Sequence, residues 1–410
     1  MGDATNPVAS IFRPSQALSK VGPSAITRIT AATAELRRQG RRIASMHLGE
    51  PDFMTPENIV EAAIRAMRAG DTHYTELDGT PEVKSAVLEK FSRENGVHFE
   101  REEIVVTSGA KMLLFSAFFA TLNPGDEVIL PAPYWGSYGD IVEMMGARAV
   151  VLPTHAQDGF KLRAEDLERA ITPNTRWLLI NSPSNPSGAV YRKADYEPIL
   201  EVIERHPHVW FMIDDMYEHI IFHNEPFVTP AQLRPDLRGR ILTINGVSKA
   251  YAMTGWRIGY AGGPAPLINA IKAVLSQSTS CPCSIAQAAA AEALRGPQNS
   301  VRRYLGEYRT RRHLVMAELS HCPGLKSTEP DGTFYAFVDW RALIGTSTPR
   351  GKTLTDDDDL CQYFLQDCGV SIVPGMAFGN HGFFRISFAS SEADLRLGMA
   401  RIREGCAALI

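Results

Sequence analysis

From about residue 100 the chain alternates short apolar runs with helical stretches, and this alternation limits the fold more than any other feature. EIVVTSG is followed by AKMLLFSAFFATL, and DEVILPAP by SYGDIVEMM. Short apolar runs bounded by Gly, Pro or Ser and separated by helices are the pattern of βαβ units, whose parallel strands are covered on both faces. Further strands are predicted at RAVVLP, RWLLINSP, VWFMIDD, RILTING and RIGYAGG, with helices at RAEDLERAI and RKADYEPILEVIERH between them. After Gly296 the pattern changes to one long helix, SVRRYLGEYRTRRHLVMAELSHC, then strands TFYAFVDW, VSIVPG and FFRISFA mixed with two helices. A chain of 410 residues exceeds the size at which one core usually stops growing. The expectation is an α/β protein of two domains, a large one over 46–300 and a small one over 301–410. Residues 1–45 carry no strand signal before IASMHLG and are expected to form an arm that folds back on the small domain.

Several function classes are disfavoured at once. The net charge is −4, with 42 basic residues against 46 acidic ones, which argues against a nucleic-acid partner. The densest charge run, 356–359, is acidic; it follows Thr355 and precedes LCQYFLQDCG, so a capped helix start is predicted, with carboxylates at the positive end of the helix dipole. Six irregularly spaced cysteines form no disulfide scaffold and point to a reducing, cytoplasmic setting. Cys281 and Cys283 form a C-x-C without a histidine close in sequence, so small packed residues are expected there rather than a zinc site. MGDATNPVAS lacks the basic start and apolar core of a signal peptide, and Asn6 breaks the myristoylation pattern, so export is not expected. The uncharged run 273–291 is long enough to cross a bilayer, yet it carries SQSTSCPCS in its middle and is expected to be buried protein.

The stretch INGVSKAYAMTGWRIGY sets Lys249 and Arg257 among apolar and aromatic neighbours, and between 241 and 271 no other residue is charged. Such cations either snorkel to water or point into a site. In a low-dielectric pocket a lysine loses its proton more easily and becomes a nucleophile, whereas an arginine stays charged and suits phosphate or carboxylate. In open α/β sheets, ligands collect beyond the carboxyl ends of the strands. Ser108, Gly109 and Ala110 stand there at a strand-to-helix turn whose free N–H groups suit a phosphate. Asn185 follows RWLLI, and Asp214 ends VWFMI, where a buried carboxylate needs a partner.

Taken together, these residues resemble the class I aminotransferases, fold-type I enzymes that use pyridoxal 5′-phosphate. LGEPDF, PYW, NPSG, the D-x-x-Y of DDMYE, SK followed by GWRIGY, and a late F-R-x-S occur in the family's order over most of the chain. The resemblance implies a large, mainly parallel seven-stranded sheet domain and a smaller α/β domain. It implies that Lys249 holds the cofactor as a Schiff base and then moves a proton between the substrate's Cα and the cofactor, nucleophile first and general base second. Asp214 is then the partner of the pyridine nitrogen; Tyr217 and Asn185 share the phenolic oxygen; Trp135 stacks on the ring. Gly109, Ala110, Lys111, Ser248 and Arg257 match phosphate positions, and Tyr74 matches a tyrosine that reaches the phosphate from a neighbouring subunit, so a homodimer is implied. Arg385 matches the arginine that grips the substrate α-carboxylate, with Gly49 and Asn185 beside it; for Gly49 a turn requiring positive φ is an equally open reading. The chain departs from many relatives at Gly246, where a further phosphate-binding serine is common. No metal is implied.

The substrate signal is thinner. Lys111 in SGAKMLL stands where the bacterial aspartate/prephenate branch has a G-x-K lysine, which favours a dicarboxylic donor, although Met112 replaces a common glutamine and the texture around Lys249 also occurs in relatives with aromatic substrates. The implied reaction is ping-pong amino transfer to a 2-oxo acid, with 2-oxoglutarate the expected acceptor. A carbon–sulfur β-lyase on the same fold is the alternative enzyme; a non-catalytic regulatory domain is disfavoured, since the residues before the first motif are too few for a DNA-binding module.

Overall fold

A computed structural model of the chain describes residues 13–19 and 21–410. The N-terminal residues on which the export and myristoylation expectations rest lie outside them.

The strands, in chain order, are β1 (Ala44–Ser45), β2 (Ile104–Thr107), β3 (Glu127–Ala132), β4 (Arg148–Pro153), β5 (Thr175–Asn181), β6 (Trp210–Asp214), β7 (Ile241–Gly246), β8 (Gly259–Gly262), β9 (Lys326–Ser327), β10 (Tyr335–Asp339), β11 (Val370–Ser371), β12 (Val373–Pro374) and β13 (Phe383–Ser387). One seven-stranded sheet has the order β2-β8-β7-β6-β5-β3-β4. All of its pairings are parallel except those of β8, which runs antiparallel to β7 and β2. The expected fold class is the one found. Strands β2, β3 and β7 are buried along their whole length, as a sheet covered on both faces requires. One core layer sets Ile104, Val106, Ile180 and Ile213 against Tyr196, Ile199 and Ala290, and the opposite layer sets Val105, Leu130 and Met212 against Leu114, Phe118 and Ile268. Each fully buried Leu, Ile or Phe contributes about 1.5–3 kcal/mol, so these two layers fix the strands that carry the site.

A second sheet, β12-β13-β10-β9, is antiparallel, and β1 pairs in parallel with β11. Around it lies a separate apolar cluster that includes Trp340, Phe364, Phe384 and Val315 of the long helix Asn299–Leu319. The acidic run behaves as its residues dictate. Asp356 caps the helix Asp357–Tyr363 by accepting the Asp359 N–H at 2.9 Å.

The uncharged run 273–291 departs from expectation in part. It is split between helices Ala265–Ser276 and Ser284–Arg295, and the connecting residues Gln277 to Ser280 are exposed rather than buried, as the polar content of SQSTS favours. Cys283 is likewise exposed rather than packed, and Cys281 is half-buried, its Sγ accepting the Thr75 N–H at 3.4 Å. Among the described residues, no helix is long and apolar enough to cross a membrane.

Candidate active site

The carboxyl ends of five strands deliver most of the expected residues to one place. β2 leads into Ser108, Gly109 and the helix Ala110–Thr121; β3 into Tyr134 and Trp135; β5 into Asn185; β6 ends on Asp214; β7 leads into Ser248 and Lys249. The second sheet adds Tyr335 from β10 and Arg385 from β13. They converge on a cavity of about 290 Å³ lined by Gly49, Ala110, Lys111, Trp135, Asn185, Asp214, Tyr217, Ser248, Lys249, Arg257 and Arg385, together with Tyr138 and Tyr335. Gly109 stands just behind, at the helix start.

At one end is a carboxylate. Asp214 is buried; it accepts a hydrogen bond from the Tyr138 hydroxyl at 2.7 Å and another from the Met216 N–H at 3.1 Å. Burial raises its pKa against the pull of these two bonds and of Lys249. Among the described residues no lysine or arginine pairs with it, so a cation in the cavity would supply the missing counter-charge. The turn that carries Asp214 and Tyr217 is pinned from behind by Glu218, which pairs with Lys90 and accepts from Asn95 and Asn245 at 2.7 Å each. Glu94, Glu218 and His219 bring ligand atoms within 4.8 Å of one another, but the Lys90 ammonium already supplies the cation there.

At the other end is a guanidinium. Arg385 is 1% exposed, and its two hydrogen bonds go to neutral acceptors, Asn185 Oδ1 at 2.9 Å and the His47 carbonyl at 2.5 Å. Among the described residues its Nε has no partner, and its Cζ lies over the rings of Tyr335 and Phe378, 4.3 and 5.1 Å from their centres. Such a buried cation, with no carboxylate beside it among the described residues, is a strong site for a planar anion. His47 anchors this end. Its ring is held by Ser371 at 2.8 Å and Thr30 at 3.1 Å, and burial, reinforced by Arg385 and Arg37, lowers its pKa to about 4, so it is neutral at pH 7.

Lys249 lines the same cavity and feels both charges. Its Nζ donates to the Gly49 carbonyl at 2.6 Å. Burial, with Arg385 and Arg257 adding to it against Glu50 and Asp214, lowers its pKa to about 8. An amine near neutrality in this setting is suited to act as nucleophile and base. The positive-φ reading of Gly49 does not hold. Its φ lies outside the left-handed region, and glycine is required because a Cβ would collide with the Tyr335 hydroxyl. Tyr335 in turn meets the Tyr217 hydroxyl at 3.0 Å.

The anion cradle at the helix start is closely packed. Gly109 has φ +86°, and a Cβ on it would lie 2.9 Å from Arg257 Cζ. Arg257 itself has φ +57°, a left-handed conformation that costs a non-glycine residue of order 1 kcal/mol and is retained at functional sites. The free N–H groups of the first helical turn, Ser248 and Arg257 are together suited to a phosphate. At Gly246 a Cβ would lie 2.9 Å from Met216 Cε and 3.1 Å from the Ile258 carbonyl, so the serine common in relatives has no room without a shift of Met216. Lys111 Nζ donates to Ser137 Oγ at 3.2 Å and lies 4.7 Å from the Trp135 ring centre. Tyr74 does not line this cavity; its side chain is 92% exposed.

Sequence reasoning missed Tyr138, Tyr335, His47 and the Lys90–Glu218 support. Tyr138 and Tyr335 read as members of an ordinary helix and strand. The one available signal is a polar hydroxyl close to the PYW motif for Tyr138 and within the apolar strand TFYAFVDW for Tyr335.

The profile of the family described as aminotransferase class I and II matches residues 42–402. The chain is similar to the aspartate aminotransferase of Rhizobium meliloti (strain 1021), at 53% identity over 395 residues covering 96% of each chain. It is also similar to the aspartate/prephenate aminotransferase of Cereibacter sphaeroides, at 49% identity over 96% of this chain and 99% of the other. The crystal structure of the aspartate aminotransferase from Rhizobium meliloti superposes with a TM-score of 0.94 at 53% identity, covering 97% of this chain and all of that one.

Proposed function

The chain belongs to the class I and II aminotransferases, and from that membership we propose that it uses pyridoxal 5′-phosphate to move the amino group of aspartate, or of another dicarboxylic or aromatic amino acid, to a 2-oxo acid. One observation carries this reading: a buried carboxylate, Asp214, and a buried guanidinium, Arg385, neither with a charged partner among the described residues, line one cavity with an amine of lowered pKa that feels both charges.

The donor set fits the cofactor. Asp214, held in place by Tyr138, supplies an anion for a protonated ring nitrogen; Tyr217 and Asn185 offer polar groups for the phenolic oxygen; Trp135 offers a flat face. The N–H groups after Gly109, at Ala110 and Lys111, with Ser248 and Arg257, suit the phosphate. When bound, the cofactor supplies the electron sink that makes an amino acid's α C–H bond acidic. Arg385 holds the substrate's α-carboxylate through its planar fork, with Asn185 steadying the guanidinium. Lys249 Nζ would then carry the proton from the substrate's α carbon to the cofactor's C4′ carbon rather than back, the shift that turns an amino acid into a 2-oxo acid. Lys111, which lines the same cavity, meets the distal carboxylate of a dicarboxylic donor.

Three finer points belong to the same proposal. Tyr74, exposed in one subunit, reaches the phosphate of a second copy, so the working form is a homodimer. Residues 46–300 form the cofactor-holding domain and 301–410 the small one, with 1–45 as an arm; the separate sheets that contribute Asp214 and Arg385 support this division. The enzyme works in the cytoplasm with 2-oxoglutarate as acceptor, in keeping with its sparse cysteines and its family.

A panel of amino donors with 2-oxoglutarate tests the substrate assignment, and one variant sharpens it. Lys111→Ala is expected to lower kcat/KM for aspartate and glutamate about fivefold, the upper end of the scale of a partly exposed ion pair, while changing phenylalanine by less than about twofold. Equal losses across the panel would contradict the assignment.

A further inference from the structure

We propose that Asp140 is a specificity-determining residue that acts as the built-in counter-charge of Lys111, so that the cavity accepts uncharged side chains as well as dicarboxylic ones; this rests on the aminotransferase reading above. Lys111 is fixed at the cavity wall by Ser137 Oγ at 3.2 Å and by the Trp135 face. Ser137 opens the helix Ser137–Met144, and Asp140 follows three residues later, which places it on the same helical face one turn away. Lys111, Ser137 and Asp140 line one open groove, which adjoins the active-site cavity by sharing Lys111 and Trp135 with it. The Asp140 side chain is half-buried and forms no hydrogen bond or ion pair with the described residues, so its carboxylate is available to Lys111.

The electrostatics runs in both directions. Burial and Arg257 disfavour the charge on Lys111, whereas Asp140 favours it; Lys111 in turn lowers the pKa of Asp140, which burial raises. When an aromatic side chain fills the cavity it removes water from Lys111 and provides no counter-ion, and an ammonium desolvated without a partner is costly. Asp140 offsets that cost. When a dicarboxylic donor enters, its distal carboxylate takes over Lys111, and Asp140 opposes it by like-charge repulsion. One carboxylate thereby tightens binding of neutral side chains and weakens that of acidic ones, narrowing the gap between the two classes.

The test uses the cofactor-loaded enzyme and two acids that bind without reacting, succinate and 3-phenylpropionate, with Kd measured by calorimetry. In Asp140→Asn the preference for succinate over 3-phenylpropionate is expected to rise about tenfold, whereas Asp140→Glu keeps the wild-type preference and shows that the fold tolerates the site. In a Lys111→Ala background, Asp140→Asn is expected to change the preference by less than about twofold, because its effect passes through Lys111. An unchanged or reversed preference in Asp140→Asn, or a full shift without Lys111, overturns the role of Asp140 and leaves the family reading standing. A wild-type enzyme that binds neither acid and transfers no amino group overturns both.

Discussion

Lys249→Ala is expected to lower the turnover of every amino donor by more than roughly 10⁴-fold, the upper end of what one positioned general base supplies, because the same amine is also the nucleophile. The physical ground is its setting. The amine is held on the Gly49 carbonyl, with burial and two neighbouring guanidiniums pushing its pKa down to about 8. Among the described residues the other lysine that lines the cavity is Lys111, whose ammonium is tied to Ser137 and Trp135 at the wall. The fold is expected to survive, since among the described residues the side chain's one hydrogen bond is to a backbone carbonyl and the truncation removes a partly desolvated charge. Single-turnover kinetics beside a thermal melt check both halves: lost turnover with a little-changed midpoint supports the role, and retained turnover would remove Lys249 from the chemistry.

Arg385→Ala has the second largest expected effect, a loss of about 10²–10³-fold in kcat/KM shared by aspartate, glutamate and phenylalanine, the range for truncating one partner of a buried, hydrogen-bonded charge pair. All amino donors carry the α-carboxylate, so the loss should not depend on the side chain. Arg385→Lys is expected to recover little, because an ammonium cannot span the Asn185 oxygen and the His47 carbonyl while presenting a flat fork to an anion. Steady-state kinetics across the three donors decides the matter. A loss confined to dicarboxylic donors would move Arg385 from the α-carboxylate to the distal one.

Much of the fold and site is legible in the residues, and the remainder is hidden for identifiable reasons. The seven strands of the large sheet are apolar runs bounded by turn residues, and a strand's carboxyl end is a local feature, so Asp214, Asn185 and the glycine-led helix start can be placed without a structure. Tyr138 cannot. Its partner Asp214 lies 76 positions away, and nothing in the period of SYGDIVEMM marks that hydroxyl as a donor to a distant carboxylate. His47 reads as one residue of a short strand, yet it touches Ser371 across 324 positions and offers its carbonyl to Arg385. Gly49 is legible as special, but for a different cause: glycine is needed for the close approach of the Tyr335 hydroxyl, a contact between distant segments. The run around SQSTSCPCS shows the opposite limit. Lack of charge suggests burial, but hydroxyls and an amide are at home in water, and Gln277 to Ser280 lie exposed.

The central claim is that one amine, Lys249, forms the covalent link to the cofactor. Purified protein incubated with pyridoxal 5′-phosphate, reduced with borohydride and digested should yield a single peptide carrying the reduced cofactor's mass, modified at Lys249, and Lys249→Ala should yield none. A stable adduct on a different lysine, or no adduct at saturating cofactor, would contradict the account.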